Sequence, residues 1–144
     1  MAPYLDAAKY ILEQTGAISA MKLQKLMYYS QAWSLVWEEA PLFEEDFQAW
    51  ANGPVLPELY QLHKGQFTVD VSLARDGNVN RLNHEQKDSV KKVLAFYAAK
   101  NAQTLSNLTH QEKPWLEARG DTAPMEISNA VISKASMHEY YSSL

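Results

Sequence analysis

The stretch Ser19–Trp37, SAMKLQKLMYYSQAWSLVW, limits what this chain can fold into more than any other segment. At about 3.6 residues per turn, Leu23, Leu26, Met27, Trp33 and Trp37 share one face. Tyr28, Tyr29, Ala32, Leu35 and Val36 cover most of the opposite side. A helix that is apolar nearly all round is buried on several sides. No Gly or Pro interrupts it, and Ser19 is placed to cap its first turn. The polar positions Lys22, Gln24, Lys25 and Gln31 lie mostly toward its start, where the helix is expected to approach the surface.

The rest of the chain reads as shorter elements packed around that axis. Pro3 and Gly16 bracket a one-face helix over Pro3–Gln14. Past Pro41, Phe47, Ala49 and Ala51 alternate with polar or amphipathic neighbours, which suits a strand ended by the turn Asn52-Gly53-Pro54. Pro57 opens a short helix closed by Gly65, with Leu59, Tyr60 and Leu62 facing inward or toward a partner. Phe67, Val69, Val71 and Leu73 alternate again, and Asp76-Gly77 predicts a hairpin returning at Val79. Asn83 and Gln86 have the spacing of a capping box, so a helix should run from there to about Ala99. A second helix follows over Ala102–His110. Pro114-Trp115 leads into a polar loop, EARGDTAP, and Ile127–Ile132 into a strand or turn. Ser133 caps a last helix that aligns Met137, Tyr140, Tyr141 and Leu144. The expected architecture is mainly α with some β: a compact helical domain around a buried central helix, with a small antiparallel sheet or hairpin. At 144 residues, without repeats or linkers, residues 1–144 form one domain.

Composition removes several classes of function. The net charge of −4 and the lack of a basic cluster argue against nucleic acid as the main partner. Without Cys there is no disulfide framework and no thiolate zinc site. No apolar run approaches the ~20 residues of a membrane span, and the N-terminus lacks a signal-peptide layout, so the expected location is the cytoplasm. No phosphate-binding glycine loop, HExxH or GxSxG is present. The four His are dispersed, and only His110 has an acidic neighbour at short spacing, Glu112. That pair is the one candidate for general-base chemistry, and an enzyme built on it would need a cleft joining the two. No metal or cofactor is expected. Four Trp and eight Tyr are a large supply for this length. Most belong in the core, and the remainder suit a protein interface, where such side chains concentrate binding energy.

Four motifs in order, LQKLMYYSQAW (Leu23–Trp33), AWANGPVLPELY (Ala49–Tyr60), LSNLTHQEKPW (Leu105–Trp115) and a terminal EYY (Glu139–Tyr141), resemble the Panacea domain of SocA-like antitoxins. That group also includes phage-associated GepA-type proteins. The resemblance covers nearly the whole chain. Two departures stand out: the Trp50–Gly53 segment, where the family more often has a bulky or aromatic residue just before Gly-Pro-Val, and Val69–Arg81, which matches no motif. The resemblance implies an antitoxin, a mostly helical non-enzymatic protein that neutralises a toxin encoded beside it. For the SocA-like branch it also implies an alternative, an adaptor delivering the toxin to an AAA+ protease.

Many antitoxins fold a disordered tail onto their toxin, and this chain lacks the charge-rich tail such a mode needs. The expectation is therefore a preformed surface made of apolar side chains that the core leaves over. Phe43, Leu56, Tyr60, Leu62 and Phe67, bracketing the Gly-Pro turn, are the candidate toxin contacts.

Overall fold

The computed structural model describes residues 3–144. Its axis is α2 (Ala20–Trp37), entered through Ser19, whose hydroxyl accepts from the Lys22 amide at 3.1 Å. Around it lie α1 (Tyr4–Thr15), α3 (Pro57–His63), α4 (His84–Tyr97), α5 (Ala102–Thr109), α6 (Lys113–Arg119) and α7 (Lys134–Ser142). The strands are short: β1 (Ile18–Ser19), β2 (Phe47–Trp50), β3 (Gly53–Val55), β4 (Thr68–Val69) and β5 (Val131–Ile132). β2 is the centre of an antiparallel three-stranded sheet in the order β3-β2-β5, and β1 pairs with β4. Leu23, Leu26, Met27, Tyr28 and Tyr29 of α2 are fully buried against α1, α4, α5 and α7. The capping box at Asn83 and Gln86 forms, and Ser133 caps α7 through the Ser136 amide.

Four expectations need correction. Gln24, Lys25 and Gln31 are fully buried, not surface residues, because each binds buried backbone: Gln24 that of Leu56, Lys25 that of Pro54 and Gln31 that of Leu42 and Phe43. The predicted hairpin at Asp76-Gly77 does not form. Its segment becomes two 3₁₀ turns, Val71–Ala74 and Val79–Arg81, because Asp70 and Asn78 accept from the amides of Ser72 and Asn80. Buried Asp6 of α1 then fixes this segment by accepting from the Asn78 amide and the Arg81 guanidinium. Gly53-Pro54 is a return strand rather than the end of one. Pro54 is tolerated there because β3 is an edge strand, where a missing N–H costs little. Finally, the Pro114-Trp115 segment and the start of the expected loop form α6, with Pro114 in its first turn.

Candidate functional site

The β2–β3 hairpin and the step from β3 into α3 are held from below by the first half of α2. The Leu56 amide donates to Gln24 Oε1 at 2.8 Å, and Gln24 Nε2 donates to the Leu56 carbonyl at 3.3 Å and to His63 Nε2 at 3.0 Å. An amide nitrogen can only donate, so His63 Nε2 accepts and the ring is neutral, in keeping with burial lowering its pKa. At the next residue, Lys25 Nζ donates to the Pro54 carbonyl at 3.3 Å. Lys25 has no carboxylate partner among the described residues, and burial pushes its pKa from 10.5 down to about 7. Gly53, at φ 118°, lies directly on this lysine: a Cβ there would meet Lys25 Cε at 2.6 Å and Thr109 Oγ1 at 2.9 Å. From the other side, Trp115 Nε1 donates to the Trp50 carbonyl, Arg119 donates to the Ala49 carbonyl, and Ser106 donates to the Asn52 carbonyl.

Above these supports lies an apolar rim. Two adjoining clefts of about 270 and 230 Å³ share Met21 and Asn52. The first is walled by Trp50, Tyr60 and Ile127, the second by Phe67 and the buried Lys25. Ile127 is 89% exposed and Phe67 83%. Phe67 is not on a loose tip: the Ala20 amide donates to its carbonyl at 2.8 Å, and Thr68–Val69 pairs with β1.

The five candidate contacts separate sharply here. Phe43 and Leu56 are fully buried and present no surface. Their backbone is what Gln31 and Gln24 clamp, so the core consumes both side chains. Tyr60 is half-buried, edge-on to Trp50 at 4.9 Å, while Leu62 and Phe67 are exposed. Met21 and Ile127 join this face without having been singled out. Met21 lies at the start of the central helix, where the surface was expected but only polar positions were named, and Ile127 in a segment read only as strand or turn.

His110 and Glu112 serve different places. The His110 ring stacks on Trp115 with centroids 4.1 Å apart, and its buried Nε2 has no hydrogen-bond partner among the described residues. Burial, assisted by the nearby Lys25 charge, lowers its pKa. Glu112 Oε1 instead accepts from Tyr29 and Tyr141, both at 2.7 Å, and shares no hydrogen bond with His110. Burial raises the Glu112 pKa, opposed by those two hydroxyls. Among the described residues no cluster of three or more His, Asp or Glu side chains is arranged to hold a metal, and no helix is long and apolar enough to cross a membrane.

The family model for the SocA-like antitoxin, Panacea domain, matches residues 23–116, from the core of α2 through the hairpin, α3, α4 and α5 into α6. Searches of curated proteins and of solved structures returned no match. The matched span is well over half the chain and contains Gln24, Lys25, Gln31, the Gly-Pro hairpin, Glu112 and Trp115. On this evidence the protein belongs to the SocA-like antitoxin family and carries its Panacea domain.

Proposed function

We propose that this protein is the antitoxin of a toxin–antitoxin pair, and that it silences a cognate protein toxin in the cytoplasm by direct binding through the face around the β2–β3 hairpin. The observation that carries this reading is Phe67: a large apolar side chain left 83% exposed on backbone pinned from both sides. An apolar group held rigidly in water costs little further ordering entropy when a partner covers it. Leu62 and Ile127 add exposed apolar surface, and Tyr60 supplies a half-buried aromatic wall. Such a cluster is the usual composition of an interface core.

We read the protein as a binder rather than a catalyst. The separation of His110 from Glu112 supports that reading, since neither can orient the other for proton transfer. The test is co-expression with the protein encoded beside it. The two should copurify and growth arrest should be relieved, and Phe67→Asp together with Leu62→Asp should abolish both effects while leaving the fold intact. Full rescue by that double variant would remove the hairpin face from consideration.

A further inference from the structure

The second half of α2 builds a different surface. Trp33 and Trp37 stack at 5.1 Å, and together with Val93, Phe96 and Tyr97 of α4 and Leu108 of α5 they wall a groove of about 510 Å³. Phe96 is 64% exposed and Trp37 43%. Two well-buried aromatics support this layer: Tyr97 stacks on Tyr29 at 4.0 Å and accepts from Trp33 Nε1 at 3.0 Å. The groove is largely apolar, with two charged side chains in its wall, Lys92 and Glu112, the latter only 6% exposed.

Glu112 is unusual in its company. Its Oε1 takes both tyrosine hydroxyls, and no hydrogen bond to Oε2 is found among the described residues. Tyr141 has one hydroxyl proton, and the 2.7 Å contact to the carboxylate claims it, so the 3.1 Å contact with Tyr28 is best satisfied by Tyr28 donating to Tyr141. All three hydroxyls are then oriented toward one carboxylate. No Lys, Arg or His forms an ion pair with it among the described residues. Lys92, the basic side chain on the same groove, pairs with Asp88 at 3.2 Å. A carboxylate withdrawn from water and held only by neutral donors still favours a cation. The rings around it carry cations of their own: Lys92 Nζ lies 5.7 Å from the Trp37 centroid and Lys100 Nζ 5.2 Å from that of Phe96, so the carboxylate is the group left without one.

We propose that this groove binds a peptide segment of a protein partner that carries an arginine or lysine between apolar residues, the cation meeting Glu112 and the apolar neighbours covering Trp37 and Phe96. Arginine fits best, because its planar guanidinium is the more weakly hydrated cation and donates readily to a buried carboxylate. A segment rather than a small metabolite is indicated by the spread of the apolar surface: the groove opens across three helices, and Leu144 extends it beyond α7. The site lies at the opposite end of α2 from the hairpin face and does not depend on that face binding the toxin.

The test uses the full chain and two synthetic peptides, acetyl-SLLRLLS-amide and the analogue with citrulline in place of arginine, which keeps the shape and removes the charge. Binding is followed by NMR through the indole N–H signals. The arginine peptide should shift the Trp33 and Trp37 signals and bind at least tenfold more tightly than the citrulline one. Glu112→Gln retains an acceptor for Tyr29 and Tyr141, so it should fold and should erase the difference between the peptides. Phe96→Ala, which alters an exposed side chain, should weaken both. Equal binding of the two peptides, no binding of either, or shifts confined to Trp50 and Trp115 would overturn the proposal.

Discussion

The two ends of α2 stabilise their surroundings by opposite means. At its start, buried polar side chains hold the edge strand β3 and its step into α3: Gln24 binds the Leu56 backbone and the His63 ring, and Lys25 holds Pro54. At its end, aromatic rings stack on one another, and their outermost members stand partly in water. The first arrangement specifies geometry, because a hydrogen bond lost in the core leaves two polar groups without water. The second supplies area, because ring stacking tolerates small displacements. The hairpin face should therefore be rigid and easily broken from beneath, whereas the aromatic groove should survive the loss of any one rim residue.

Substitutions can break this contrast or sharpen it. The largest effect is expected from Gln24→Ala, which leaves the buried Leu56 amide and His63 Nε2 without their partner and should cost about 3 kcal/mol in chemical denaturation. Gly53→Ala should cost about 2 kcal/mol, since it combines an unfavourable φ with a Cβ driven toward Lys25 and Thr109.

Lys25 adds a pH dependence. Its folded pKa is lowered from 10.5 to about 7, so between those values the unfolded chain binds the extra proton. Stability should therefore rise with pH across that window, by up to about 1.4 kcal/mol per pH unit, and Lys25→Met should flatten the rise. The smallest effect is expected from Trp37→Ala, about 1 kcal/mol, because the ring is partly exposed and loses chiefly its stacking on Trp33. If Trp37→Ala proved costlier than Gln24→Ala, the contrast between the two ends would be reversed.

Helix positions were legible because apolar spacing and caps are local signals. Ser19, Asn83 and Ser133 cap the helices they were expected to cap. The roles of Gln24, Lys25 and Gln31 were not legible, because their partners are backbone groups of Leu42–Leu56, brought close only by the tertiary fold. A polar side chain within an apolar helix looks the same in sequence whether it faces solvent or clamps a loop. The Val69–Arg81 segment misled for a related reason. Its alternation suits a strand, but Asp70 and Asn78 bind their own following amides and divert the chain into turns.

For the candidate site, the Gly-Pro turn was the feature around which the sequence grouped its contacts. Burial then divided the neighbours that sequence had grouped together, removing Phe43 and Leu56 and keeping Tyr60, Leu62 and Phe67. The aromatic groove escaped notice because Trp33, Trp37 and Tyr97 have the spacing of core residues. The fold nevertheless leaves Trp37 43% exposed, beside the exposed Phe96 of α4.

The most direct test of the proposed mechanism is inhibition of the purified toxin by the purified protein, with no protease present. The account predicts inhibition that saturates at a fixed molar ratio, and at least a tenfold loss of potency for Phe67→Asp at unchanged thermal stability. A toxin that stays fully active beside the intact antitoxin and is silenced only when a protease is added would contradict it.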